Sequence, residues 1–136
     1  RTVITFFIPG KPIHQGRPRT FLHNGSGKIV TMNPTLSEGW KKIVRYTSAR
    51  YVPDRPIDSP ISIKLIFYLP RPKSARKRTW PSVRPDIDNY IKGTLDALQS
   101  AGFFVDDARI VLLEAQKMYA LEEPVVRVMI SNLEED

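Results

Sequence analysis

The stretch between Pro60 and Pro70 constrains the fold of this chain of 136 residues more than any other segment. Apolar side chains occupy every second position in it, at Ile61, Ile63, Leu65, Phe67 and Leu69. This alternation has the period of a β-strand with one strongly buried face. Because a chain of this length holds one ordinary core, we expect residues 1–136 to form a single domain around that face.

Strand-like and helix-like segments follow one another along the rest of the chain. β-branched and aromatic residues predict further strands, with a loop over residues 11–27. Residues 110–119 contain several helix-favouring residues, but the short link to the preceding strand favours a sheet partner. The additional strands are predicted at residues 2–8, 28–32, 103–105, 110–119 and 125–130.

Two segments have the signals of amphipathic helices. The first covers residues 33–51, where Thr35 and Glu38 have the spacing of a capping box. The second covers residues 88–100, with Asp88 able to cap its start and Gly102 suited to a left-handed stop. Together these elements predict an α/β fold of the mixed α+β type, in which one mixed β-sheet carries two main helices. The core is expected to include Phe6, Phe7, Trp40 and Phe67.

Composition excludes several classes of site. The chain has no cysteine and only two histidines, which excludes disulfides and makes a typical zinc centre improbable. No apolar run is long enough to cross a bilayer, and no signal-peptide pattern is present. We therefore expect a cytoplasmic protein with no membrane partner.

Positive charge is concentrated in one segment. The 21 basic and 14 acidic residues give a net charge of +7, and six of the basic residues lie between Arg71 and Arg84, where there is no acidic one. Such a tract attracts nucleic acid and displaces counterions from its phosphates. A solvated, flexible loop without a ligand is the alternative interpretation of residues 71–84. The predicted DNA contacts in this tract are Lys73, Arg76, Lys77, Arg78 and Arg84.

Two acidic clusters follow the basic tract, at residues 86–89 (Asp-Ile-Asp-Asn) and at Asp106-Asp107. A helix folding back onto a strand can bring the two clusters together, and crowded carboxylates need a compensating cation. Mg²⁺ suits hard oxygen ligands and leaves positions open for a phosphate oxygen and a water, and Mn²⁺ is expected to substitute for it. Lys92 lies four residues after Asp88, so its ammonium can reach the same face of the helix.

Each of these features also has an ordinary structural explanation. Asp-x-Asp-Asn before a helix is often only a cap, Asp106-Asp107 is often only a turn, and Lys92 can form a surface ion pair with Asp88 or Asp96. Glu114 and Lys117 resemble the Glu-x-Lys of restriction-type nucleases, but the spacing has one residue too many. The residues alone therefore leave open a metal-dependent DNA endonuclease and a non-catalytic DNA-binding module.

Residues 84–92 (Arg-Pro-Asp-Ile-Asp-Asn-Tyr-Ile-Lys), 95–98 (Leu-Asp-Ala-Leu), 101–102 (Ala-Gly) and 106–110 (Asp-Asp-Ala-Arg-Ile) closely resemble the signature of the RusA family of Holliday junction resolvases. Residues 10–12 (Gly-Lys-Pro) and 16–19 (Gly-Arg-Pro-Arg) are similar to that family's opening. The resemblance extends over roughly the whole chain. The arrangement of residues 71–83 departs from it.

The resemblance implies a phage-derived or bacterial homodimer that resolves four-way DNA junctions in recombination and repair by paired, Mg²⁺-dependent nicks. It assigns catalysis to Asp86, Asp88, Asp107 and Lys92, with the three aspartates as metal ligands and Asp106 as an additional one. It also makes Arg17 and Arg19 phosphate contacts. No small-molecule cofactor is expected, and a nuclease of other branched DNA, such as flaps, is the alternative within the same chemistry.

Overall fold

The fold is built around a four-stranded sheet in the computed structural model, which describes residues 2–13, 19–22, 29–32 and 36–133. The strands are β1 (Val3–Pro9), β2 (Arg19–Leu22), β3 (Ile29–Met32), β4 (Ile61–Leu69), β5 (Ile110–Tyr119) and β6 (Val125–Asn132). The four-stranded sheet has the order β1-β6-β4-β5, and β2 and β3 form a separate antiparallel pair. Only the β4–β5 pairing in the larger sheet is parallel.

The predicted strand between the two prolines is β4, and it lies inside the sheet between β6 and β5. Its alternating residues Ile61, Ile63, Leu65 and Phe67 are at most 1% exposed. They share a core with the inward-facing side chains of β1 and β6, among them Phe6 and Val128. The predicted α+β architecture of one small domain is confirmed.

Two helices cover one face of the sheet, α1 (Leu36–Ser48) and α2 (Ile87–Ala101). Their apolar stripes bury Trp40 and Val44 on α1 and Ala97 and Leu98 on α2, as the helical spacing predicts. Tyr90 of α2 stacks on Phe67 of β4 with 5.4 Å between ring centroids. The described part of the chain includes no helix that is long and apolar enough to cross a membrane.

Several details differ from the sequence predictions. A strand at residues 19–22 falls inside the predicted loop, since these residues pair with β3. Residues 103–105 form no strand of the sheet, and Phe104 makes only an isolated bridge to Ile57. Phe7 is 55% exposed rather than in the core, because its neighbours Phe6 and Ile8 take the buried face of β1 and alternation turns Phe7 outward.

The ends of the helices also refine the predictions. The N-cap of α2 is Asp86 rather than Asp88, which lies in the first turn. Gly102 adopts the predicted left-handed conformation, with φ of 101°. Thr35 of the predicted capping box lies outside the described residues. The ambiguous segment 110–119 is a strand, and it pairs in parallel with β4.

Candidate active site

The first acidic cluster lies at the N-terminus of α2. Asp86 has an extended backbone, with φ of −68° and ψ of 148°, and Asp88 follows in the first helical turn. Both side chains are exposed. Their negative charges are stabilised by the positive end of the helix dipole. Arg84 reaches Asp86 with an Nη1 to Oδ2 distance of 3.9 Å. This end of α2 therefore presents two solvent-accessible carboxylates beside an arginine.

The second acidic cluster lies at the start of the edge strand β5. Asp106 caps the short 3₁₀ helix Asp107–Arg109, and its Oδ1 accepts a hydrogen bond of 3.0 Å from the Ala108 N–H. β5 begins at the next residue, Ile110. The cap thus holds the acidic pair at the N-terminal end of β5.

Asp106 and Asp107 differ in their ionisation. The hydrogen bond from the Ala108 N–H lowers the pKa of Asp106, with a further contribution from its contact with Asp107. The hydrogen bond between the Asp106 and Asp107 side chains raises the pKa of Asp107. Desolvation and the negative charges of Asp106 and Asp96 raise it further, whereas the positive charge of Lys92 lowers it. Asp106 therefore stays ionised to lower pH than Asp107 does.

Lys92 and Asp96 connect α2 with this acidic pair. Their side chains form an i,i+4 ion pair of 3.9 Å, as predicted for a helix face. Asp96 raises the pKa of Asp107 and Lys92 lowers it, so the three side chains form one electrostatic cluster. A helix rises about 1.5 Å per residue, which places Asp88 roughly 12 Å along the axis from Asp96.

The predicted metal ligands are only partly brought together. Across residues 2–13, 19–22, 29–32 and 36–133, no three Asp, Glu, His or Cys side chains are grouped closely enough to hold a metal ion. The donor chemistry fits a hard divalent cation, because carboxylate oxygens are its preferred ligands and the side chains of Asp106 and Asp107 lie within hydrogen-bonding contact of each other. The set of Asp86, Asp88, Asp107 and Asp106 stays a prediction.

The basic segment has a defined backbone organised by Arg71. The Arg71 Nη1 donates hydrogen bonds to the carbonyl oxygens of Ala75, Arg76 and Arg78 at 2.9, 3.1 and 2.5 Å. The Arg71 guanidinium also lies over the Tyr119 ring, 5.3 Å from its centroid. One arginine of the tract is therefore occupied in holding its backbone.

The other basic side chains of the segment face solvent. Trp80, which lies in the same segment, is 58% exposed. Arg84 has a side chain that is 90% exposed. This exposure leaves these cations free to meet phosphates, while their role in DNA binding stays a prediction. Arg17 lies outside the described residues, and of Arg19 only the backbone in β2 is described. The exposed predicted contacts are Lys73, Arg76, Lys77, Arg78 and Arg84.

Lys117 is a residue whose place in this region the sequence did not indicate. Its ammonium donates hydrogen bonds to the carbonyl oxygens of Val83 and Pro85, at 2.6 and 2.9 Å. The sequence singled it out only for its spacing from Glu114, and Glu114 instead pairs with Lys64 at 3.0 Å. Backbone carbonyl partners leave no trace in a residue pattern, so this contact needed the structure.

Comparisons with known proteins agree with these features. Residues 9–131 match the family model described as Endodeoxyribonuclease RusA. The chain is 36% identical to the uncharacterized protein YqaN of Bacillus subtilis (strain 168) over an alignment of 138 residues, which covers 93% of this chain and 94% of the relative. It is also 32% identical over 59 residues to a crossover junction endodeoxyribonuclease rusA of Lactococcus phage r1t, covering 43% and 45% of the two chains.

The family match extends over most of the sheet and both helices, and it includes both acidic clusters, Lys92 and the basic segment. The resemblance that was drawn from residues 84–110 is therefore confirmed at the level of the family. The chain belongs to the RusA family of endodeoxyribonucleases, enzymes that hydrolyse DNA.

Proposed function

We propose that this endodeoxyribonuclease resolves four-way DNA junctions with the help of a divalent cation, Mg²⁺ or Mn²⁺. The observation that carries the proposal is the arrangement of charge around α2. An exposed basic segment leads directly into Asp86 and Asp88, and Lys92 on the same helix acts on Asp107. A phosphodiester drawn to the basic side chains would thus meet carboxylates and an ammonium group together. The similarity to the phage crossover junction enzyme supports the choice of junction DNA.

The aspartates and the lysine have different roles in this proposal. Asp86, Asp88 and Asp107 would hold the cation, with Asp106 beside them. When bound, a divalent cation polarises the phosphodiester and lowers the pKa of a coordinated water. Lys92 would stabilise the negative charge that grows on the phosphoryl oxygens during attack. Asp96 would hold the Lys92 ammonium on the correct side of α2 through their 3.9 Å ion pair.

We further propose that two copies act together as a homodimer. A four-way junction has two-fold symmetry, and one active site cuts one strand at a time. A two-fold dimer would place two active sites on equivalent strands and nick them symmetrically. Sedimentation of the protein should give twice the chain mass of 15.6 kDa. We place the activity in the bacterial cytoplasm, on host or phage DNA.

The test separates cleavage from binding. Asp88→Asn removes a proposed metal ligand but little of the basic surface, so we expect loss of cleavage by at least about 100-fold with junction binding retained. Asp54→Asn is the matched control, since Asp54 is an exposed acid between α1 and β4. Cleavage of a synthetic four-way junction in Mg²⁺ and binding in EDTA are measured for all three proteins. Normal cutting by Asp88→Asn would refute the site.

Parallel reactions on other DNA substrates test the choice of substrate. We expect the four-way junction to be cut in preference to a flap and to a linear duplex of matched sequence. Preference for the flap would replace the junction proposal with a general branch-cutting nuclease. Salt-sensitive binding without any cleavage in Mg²⁺ or Mn²⁺ would leave only a DNA-binding module.

A further inference from the structure

A side chain on the helix-facing side of β5 holds the loop that leads into the proposed active site. Lys117 pairs with Phe67 across the parallel β4–β5 ladder, and Phe67 faces the helices with no exposed surface. Partners across a ladder share a face, so the Lys117 side chain also projects to the helix side of the sheet. There its ammonium meets the carbonyl oxygens of Val83 and Pro85 at 2.6 and 2.9 Å.

These two carbonyl groups lie on either side of Arg84 and directly before Asp86. The side chain of Arg84 is 90% exposed, so the lysine holds the backbone while the arginine extends outward. A second contact fixes the same segment to β5, since the Tyr119 N–H donates a 3.0 Å hydrogen bond to the Thr79 carbonyl. The chain from Thr79 to Asp86 is therefore attached to the C-terminal half of β5.

β5 consequently connects both acidic clusters. Asp106 and Asp107 directly precede the strand at Ile110, and Lys117 further along holds the segment that ends in Asp86. Lys117 is half-buried, so its ammonium keeps some contact with water while it bonds to the loop carbonyls. Two hydrogen bonds from one charged donor to the same short segment hold that segment against β5.

We propose that Lys117 is a positioning residue of the active site, which fixes the segment that leads into Asp86 and Asp88 against β5, the strand that Asp106 and Asp107 precede. The inference rests on the proposed function, because it assumes that both clusters serve one metal site. Lys117 touches neither substrate nor metal in this role and acts only through the backbone of residues 83–85. Supporting groups of this kind typically change metal affinity or activity by about 10- to 100-fold when removed.

The test uses Lys117→Met, Lys117→Gln and Lys117→Arg in the full chain. Methionine keeps the aliphatic stem without a donor, glutamine retains an uncharged donor, and arginine retains several charged ones. Lys64→Met is the matched control, because Lys64 lies on the neighbouring strand and its ammonium contacts Glu114 instead of the loop. Thermal unfolding shows that each variant is folded, and a Lys117→Met protein that fails to fold is replaced by Lys117→Gln.

Three measurements address the role of Lys117. Hydrogen exchange without metal should show faster exchange over residues 83–89 in Lys117→Met. Calorimetric titration with Mn²⁺ should show affinity weakened by about 10- to 100-fold. The Mg²⁺ concentration that half-saturates junction cleavage should rise by a similar factor, while junction binding in EDTA stays within about 2-fold. Lys117→Arg should recover part of the metal affinity, and Lys64→Met should behave as the wild type.

Unchanged exchange and unchanged Mn²⁺ affinity in Lys117→Met would overturn the inference. Equal losses in Lys117→Met and Lys64→Met would also overturn it, since they would indicate a general effect on the sheet. If the wild type cuts no branched DNA, the proposed function fails, and the exchange and Mn²⁺ measurements still decide whether Lys117 positions the acidic segment.

Discussion

Asp106 and Asp107 are neighbours in the chain with opposite electrostatic surroundings. Asp106 accepts the Ala108 N–H, which stabilises its ionised form and lowers its pKa. The side-chain hydrogen bond between Asp106 and Asp107 and the negative charges of Asp106 and Asp96 raise the pKa of Asp107. Lys92 opposes that rise. As the pH falls in the metal-free protein, Asp107 should therefore take up a proton before Asp106 does.

Substitution of the neighbours should move the pKa of Asp107 in opposite directions. Asp106→Asn removes the carboxylate whose hydrogen bond is the largest cause of the raised pKa of Asp107. It also removes a negative charge, so the pKa of Asp107 should fall towards the ordinary aspartate value. Lys92→Met removes the stabilising cation, so the same pKa should rise further. Carboxyl ¹³C chemical shifts, followed from acid to neutral pH without metal, measure both changes. If the pKa of Asp107 changed in the same direction in both variants, the roles assigned to Asp106 and Lys92 in setting that pKa would be contradicted.

At the scale of elements, α2 depends on a defined stop. Gly102 ends the helix with φ of 101°, and its N–H bonds to the carbonyl groups of Gln99 and Leu98. A β-carbon there would meet only Val52 Cγ1 at 3.5 Å, an ordinary contact. The restriction is therefore conformational rather than steric, because L-residues disfavour the left-handed region.

Two glycine substitutions should change stability in opposite directions. Gly102→Ala should lower the free energy of unfolding by about 1 to 2 kcal/mol because of the left-handed backbone. Gly39→Ala lies in α1 with no atom within 4 Å of the added carbon, so it should raise that free energy by roughly 0.5 to 1 kcal/mol. Urea unfolding curves measure both. Equal effects of the two alanines would contradict the assigned role of the Gly102 conformation.

Elements with a strong pattern were predictable, and contacts between elements were not. Alternation in β4 and the spacing of Leu98 on α2 reflect one-sided burial, which a sequence displays directly. Phe7 was assigned wrongly because three neighbouring apolar residues cannot all face one side of a strand. The N-cap position falls at Asp86 rather than Asp88 because helix ends are set by local backbone geometry, and the Asp86 side chain makes no capping hydrogen bond. The Lys117 contact was not predictable, since backbone carbonyl groups carry no residue identity.

At the scale of the whole molecule, positive charge is concentrated directly before the first acidic cluster in the chain. The net charge is +7, and the backbone of the basic segment is held by Arg71 rather than left to its own conformational preferences. A backbone held in this way keeps several exposed cations close together. Electrostatic attraction of this kind depends on counterion release and therefore on salt.

Removal of charge from this segment should weaken DNA binding more than removal elsewhere. The triple variant Arg76→Ala, Lys77→Ala, Arg78→Ala should bind junction DNA more weakly and reduce the slope of log affinity against log salt by up to about 3. A control triple, Lys42→Ala, Arg45→Ala, Arg50→Ala, removes the same charge from exposed positions on and just after α1. Fluorescence anisotropy at several salt concentrations measures both. Equal slopes for the two triples would contradict the assignment of the segment.

The most direct measurement maps the cuts on a four-way junction in which each strand is labelled in turn. With Mg²⁺ present, we expect nicks at symmetric positions on one pair of opposing strands, with EDTA and Asp88→Asn abolishing both. The linear duplex of the same sequence should stay intact. Cuts at unrelated positions on all four strands, or equal cutting of the duplex, would contradict junction resolution by this protein.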